Sequence, residues 1–142
     1  MANDLIGHWT LISCESVTDG RTEYPYGREP IGQLTYDAAG HMAAQIMRPE
    51  REPFASADPG EATPEEASAA LAGYLAYFGT YSVDEGAGVV THLVTASLFP
   101  NWVGGKQQRY FLLEGDRLSL TTPRIVLQGS ERVFRLVWNR SK

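Results

Sequence analysis

The stretch Val89–Phe111, VVTHLVTASLFPNWVGGKQQRYF, constrains the fold more than any other part of the chain. From Val89 to Leu98 apolar and polar residues alternate, the period-two mark of a half-buried strand. Pro100-Asn101-Trp102 and Gly104-Gly105 interrupt it, and alternation resumes over Gln107–Leu113. Two strands joined this closely pair antiparallel. The alternation predicts that His92 shares a face with Val90, Val94, Ala96 and Leu98, and that Arg109 shares one with Phe111 and Leu113. If both faces turn inward, an imidazole and a guanidinium enter one interior.

The rest of the chain repeats the pattern. Strands are predicted over Trp9–Val17, Arg21–Tyr24, Ile31–Asp37, His41–Met47, Thr80–Val83, Arg117–Thr121, Arg124–Leu127 and Arg132–Asn139. Turn signals separate them at Thr18-Asp19-Gly20, Ala38-Ala39-Gly40, Glu114-Gly115-Asp116 and Gln128-Gly129-Ser130. Arg48–Thr63, broken by prolines, is expected to be a long loop that leaves the sheet. Thr63-Pro64-Glu65-Glu66 is a capping-box start for one helix. Leu71, Tyr74, Leu75 and Phe78 make an apolar stripe that carries the expected helix to about Phe78, with Gly79 ending it. Eight to ten short strands in hairpin order, with one inserted helix, predict a mainly β fold: a closed antiparallel up-and-down barrel in a single domain spanning residues 1–142. Closure removes the exposed sheet edges.

With 142 residues the chain buries enough surface to need no disulfide, and its one cysteine, Cys14, allows none within the chain. Cys14 reads as a small strand or core residue. The formal net charge of −5 and the scattered basic residues argue against nucleic acid and anionic membranes as partners. No apolar run reaches the length of a membrane helix, and MANDLIGHW has no signal-peptide pattern. These features predict a cytoplasmic protein. His8, His41 and His92 lie on separate segments without ligand spacing, so no metal is expected. No phosphate loop, dinucleotide fingerprint or nucleophile elbow occurs, and no cofactor is expected.

Several segments resemble those of small single-domain lipocalin-like proteins of bacteria and fungi. Gly7-His8-Trp9 looks like the Gly-x-Trp mark of lipocalins. Tyr24-Pro25-Tyr26-Gly27, Gly32-Gln33-Leu34-Thr35-Tyr36, Gly40-His41-Met42 and Arg48-Pro49 continue the likeness. So do Ala72-Gly73-Tyr74, Tyr77-Phe78-Gly79-Thr80-Tyr81, Thr91-His92, Ser97–Gly104 and Gln108-Arg109. The resemblance covers essentially the whole chain. It implies an antiparallel barrel with a helix near one mouth, and it implies no single activity.

His92 reads either as a general acid or base or as a core histidine bonded to a neighbour. Arg109 reads either as a clamp for a ligand oxygen or as half of an internal ion pair, with Glu15 as partner, because simple alternation puts Glu15 on the Trp9 face. Tyr36, Tyr74 and Tyr81 are candidate cavity aromatics, or simply barrel filling. Met42 suits an adaptable apolar lining, and equally a plain core. Asn101 and Trp102 sit at a barrel end, as a lid over the mouth or as a structural corner.

Three functions fit these residues. The first is binding of a small, largely apolar metabolite (polyketide, terpenoid or fatty-acid-derived), with His92 and Arg109 orienting its polar end. The second is a cyclase, isomerase or dehydratase that uses His92 as proton shuttle and Arg109 as oxyanion stabiliser. The third has a solid interior and a protein acting through its surface as a homodimer.

Overall fold

The computed structural model describes residues 2–127 and 129–141. Ten strands follow in order: β1 (Gly7–Thr18), β2 (Arg21–Glu23), β3 (Ile31–Tyr36), β4 (His41–Met47), β5 (Tyr74–Asp84), β6 (Val89–Ser97), β7 (Lys106–Glu114), β8 (Arg117–Thr121), β9 (Ile125–Leu127) and β10 (Ser130–Arg140). One helix, α1 (Pro64–Ala72), lies between β4 and β5. Of the turn expected at Gln128-Gly129-Ser130, Gln128 lies outside the described residues.

Eight strands form a ring in the order β1-β3-β4-β5-β6-β7-β8-β10, and β10 pairs back onto β1 to close it. All the pairings are antiparallel. Short β2 and β9 extend from the ends of β1 and β10. The chain is therefore the closed, mainly β barrel with one inserted helix that its alternating pattern predicts. Eight strands leave an interior just wide enough for side chains or for one small ligand.

One end of the barrel is sealed. A 3-10 turn at Ala2–Leu5 brings Leu5 under the barrel, where its carbonyl accepts a bond from the Trp9 indole nitrogen at 2.9 Å. The Arg140 guanidinium stacks on the Trp9 ring, 4.3 Å from its centre, and donates to the Ile6 and Asp4 carbonyls. Gly7 has a φ of +145°, and a Cβ there would sit 2.9 Å from the Arg140 guanidinium. The Gly-x-Trp mark thus has a local cause. Glycine gives the backbone its turn and leaves room for the arginine that stacks on the tryptophan.

The other end carries α1, the β1–β2 turn, the β8–β9 connection and a 3-10 turn at Pro100–Trp102. Thr63 caps α1 as predicted: its hydroxyl accepts from the Glu66 amide at 3.1 Å, and the Glu66 carboxylate accepts from the Thr63 amide at 2.9 Å.

Three expectations fail, each for a physical reason. The helix stops at Ala72 with Gly73 as its cap, not at Gly79. Leu71 is exposed, α1 buries no residue, and Tyr74–Phe78 are strand. An aromatic-rich segment flanked by two strands gains ladder hydrogen bonds on both sides, which outweighs its helical stripe. Second, a bulge between Leu11 and Ser13 reverses the phase of β1. Trp9 and Leu11 are buried before it; Cys14, Ser16 and Thr18 are buried after it. Glu15 therefore leaves the Trp9 face and lies opposite Arg135, an exposed residue of β10. Third, a bulge beside Gly79 gives Thr95 no partner on β5. Ser97, opposite Tyr77, takes over the inward phase, and Leu98 turns outward at 43% exposure.

Candidate functional site

The inward face of β6 carries Val90, His92 and Val94, all buried. β3 contributes Tyr36, and β5 contributes Tyr77 and Tyr81. These strands place two phenols around one imidazole. The Tyr36 hydroxyl lies 2.6 Å from His92 Nε2, and the Tyr77 hydroxyl lies 2.7 Å from Nδ1. His92 is 2% exposed. Tyr81 packs against Tyr36 with the rings tilted and their centres 4.6 Å apart, and it donates its hydroxyl to the Asp37 carbonyl at 2.7 Å.

Burial controls the charge of this group. Burial first, and the Arg109 guanidinium second, together push the His92 pKa down to about 3. Burial also raises both tyrosines above the ordinary phenol value, with Arg109 partly opposing it. All three residues are neutral at neutral pH. Two phenol protons and one imidazole proton then serve two hydrogen bonds. Whichever nitrogen of His92 holds the proton, one tyrosine accepts from the ring and keeps an unspent O–H. Among the described residues neither hydroxyl has another partner.

Arg109 lies half-buried on the inward face of β7 with Phe111 and Leu113. Its guanidinium donates to the Gln108 carbonyl at 2.8 Å and to the Gln107 side chain at 3.2 Å. It pairs with no carboxylate among the described residues. The bulge in β1 explains why: Glu15 has been turned away.

The other candidates separate clearly. Met42 is buried opposite Gly79, next to Tyr36 in the pairing. Trp102 meets the Tyr77 ring edge-on, with centres 5.6 Å apart, so it covers the tyrosine from the Pro100–Trp102 turn. Asn101 is exposed on that turn. Tyr74 is opposite Met47 at the start of β5, on the face away from Leu75 and Tyr77, beneath Arg51. Glu15 and Tyr74 thus stand apart from the buried cluster. Tyr77 belongs to it and was missed, because the helical reading of Leu71–Phe78 hid the strand alternation Tyr77-Gly79-Tyr81.

Shallow hollows open at the surface among the described residues. One of about 180 Å³ lies among Tyr26, Arg28, Arg48 and Pro49 near the helix-bearing end. Another of about 340 Å³ lies on the outer face of β5, β6 and β7, among Thr80, Thr91, Leu93 and Lys106. Neither is lined by His92 or Arg109.

A closed barrel with histidine, arginine and tyrosine facing its interior matches known proteins along nearly its whole length. The profile of the lipocalin-like domain covers residues 6–141. The chain belongs to the lipocalin-like domain family. One relative of this lipocalin-like chain is the 4'-hydroxy-3'-methoxypropiophenone carrier protein ppsC of Aspergillus oryzae (strain ATCC 42149 / RIB 40). The two are 35% identical over 106 residues, spanning 70% of this chain and 96% of the relative. No helix of the described lipocalin-like chain is long and apolar enough to cross a membrane. Among the described residues no group of His, Cys, Asp and Glu is arranged to hold a metal ion.

Proposed function

We propose that this lipocalin-like protein binds and carries a small, largely apolar metabolite inside its barrel, in the cytoplasm. The proposed class is aromatic ketones with a polyketide-like side chain. The observation that carries this reading is the proton count around His92. A buried group with one unspent O–H, facing a guanidinium with spare donors, calls for an acceptor oxygen from outside the chain. A ligand carbonyl meets that demand without bringing a charge into the interior. The name of the relative supports the ligand class. Trp102, which meets the Tyr77 ring edge-on from a surface turn, is the proposed lid over the mouth.

Acid–base catalysis in the same interior is the weaker reading. A histidine whose conjugate acid has a pKa of about 3 is a poor base at neutral pH. Charging it would require burying an imidazolium beside Arg109. The three neutral residues are better suited to holding an oxygen than to removing a proton from carbon.

The test is titration of the purified protein with 4'-hydroxy-3'-methoxypropiophenone, followed by calorimetry and by tryptophan fluorescence, in which Trp102 reports directly. Saturable one-to-one binding with the ketone recovered unchanged supports a carrier. Conversion of the ketone or of a close homologue would instead establish an enzyme. No binding to any aryl ketone would remove the proposed class.

A further inference from the structure

Ser16 and Thr18 lie on the inward face of β1, 2% and 3% exposed. Among the described residues neither hydroxyl has a hydrogen-bond partner. Arg132 Nε is also buried and has no partner among them. The pairing gathers these atoms in one place. Ser16 is opposite Phe134 and Val17 is opposite Val133, so the next step in register sets Thr18 against Arg132. On the other side of β1, Ser16 is opposite Glu23 of β2, and the Arg132 guanidinium reaches Glu23 at 3.8 Å. An Arg132–Glu23 contact thus spans β1 above two orphan hydroxyls. A buried hydroxyl left unsatisfied is costly, so three unpaired polar atoms at one spot call for an explanation.

The same row of the sheet leads to Arg109. Phe134 and Thr122 are bonded to each other on β10 and the end of β8, at 2.9 and 3.0 Å. Thr122 follows Thr121, the partner of Tyr110, so it falls level with Arg109. Arg109 and Ser16 are therefore three strands apart on one cross-strand row, roughly 14 Å along the wall at the usual strand spacing. The straight line across the interior is shorter and suits one substituted aromatic ring.

The two ends differ chemically. The Arg109 end offers donors only, from the guanidinium and the spare tyrosine O–H, and suits a carbonyl. Ser16 and Thr18 each donate and accept, and Arg132 Nε donates. That combination suits a hydroxyl, which also does both. We infer that Ser16, Thr18 and Arg132 form a second polar subsite that receives a phenolic hydroxyl, while the ligand's carbonyl lies at Arg109. This rests on the carrier reading and adds to it a two-ended recognition of the ligand.

The experiment compares two probes on wild type and on Ser16→Ala/Thr18→Val: 4'-hydroxy-3'-methoxypropiophenone and 3'-methoxypropiophenone, which lacks the phenol. Wild type is expected to prefer the phenol about five- to tenfold, the scale of one or two neutral hydrogen bonds. The double variant should lose that preference while keeping its affinity for 3'-methoxypropiophenone. Its urea midpoint without ligand should stay level or rise, because orphan hydroxyls have been removed. If the double variant folds poorly, Ser16→Ala alone supports the same comparison. A preference retained in the variant, even with a raised midpoint, would identify the hydroxyls as hydrated structural groups only and overturn the subsite. Equal affinity of wild type for both probes would also overturn it while leaving the carrier standing. Failure of wild type to bind either probe would remove the proposed ligand class together with the subsite.

Discussion

Tyr77 and His92 are joined across the β5–β6 pair by a 2.7 Å hydrogen bond to Nδ1, while Tyr36 occupies Nε2. The imidazole therefore has no polar atom left over. Tyr77→Phe is expected to leave a ring nitrogen buried and unpaired, lowering stability by about 1–3 kcal/mol. Urea unfolding measures this. His92→Phe orphans both phenols and should cost at least as much. The Tyr77→Phe/His92→Phe double variant should cost clearly less than the sum of the two, because the residues act as one network. Additive effects would mean that the bond contributes nothing specific.

Acid should weaken the fold through the same histidine. Its pKa in the folded protein is about 3, against an ordinary value near 6.5. The folded state keeps the ring neutral, so the unfolded state binds more protons between these values. The stabilising contribution is fully present above pH 6.5 and is lost as pH falls toward 3, at up to about 1.4 kcal/mol per pH unit. Asp37 and Glu66 have lowered pKa values and add to acid sensitivity only further down. A comparison of wild type with His92→Phe from pH 6.5 to 5 therefore isolates His92. Wild-type urea midpoints should fall across that interval, and those of His92→Phe should stay nearly flat. Parallel slopes for the two proteins would rule out His92 as the source.

The barrel was legible because alternation and turn residues are local signals. His92 and Arg109 pointing inward followed from the same two-residue period. Glu15 did not, because a bulge shifts the phase by one residue and nothing in TLISCES marks it. Tyr77 was lost for a related reason. Leu71, Tyr74, Leu75 and Phe78 fit a helical stripe as well as a strand, and only the neighbouring strands β4 and β6 decide between them. The Tyr36–His92–Tyr77 arrangement joins three strands far apart in sequence, so no spacing rule could reveal it. Ser16 and Thr18 became visible as buried hydroxyls only once the phase of β1 was known.

Gly79 marks the point where that competition is settled. A Cβ there would run into the Leu93 carbonyl oxygen and press on the Thr95 amide, both backbone atoms of β6. Backbone held by a closed ladder cannot move aside cheaply. Gly79→Ala is expected to cost roughly 3 kcal/mol or more, among the larger effects of any single substitution. Gly115→Ala is the useful contrast. Its φ of +62° strains an alanine, but nothing lies near the added carbon, so the cost should be about 1 kcal/mol. Thermal unfolding of the two variants compares them directly, and equal losses would show that backbone strain alone governs both sites.

Arg109 ties the electrostatics of the interior to its proposed use. Its charge lowers the His92 pKa as a secondary cause after burial, and opposes the rise in both tyrosines. Arg109→Met keeps much of the side-chain volume and removes the charge. Burial still holds His92 below its ordinary value, but the folded pKa should rise. The acid-induced loss of stability should then level off at a higher pH than in wild type. Binding should respond separately. A hydrogen bond from a charged donor is worth about 1.5–3 kcal/mol, so affinity for 4'-hydroxy-3'-methoxypropiophenone should fall about tenfold or more. Affinity for 2-methoxy-4-propylphenol, which lacks the carbonyl, should barely change. An equal loss for both compounds would mean that the guanidinium shapes the interior without touching the ligand's oxygen. A changed acid profile with unchanged ketone binding would place the ligand away from β7 altogether.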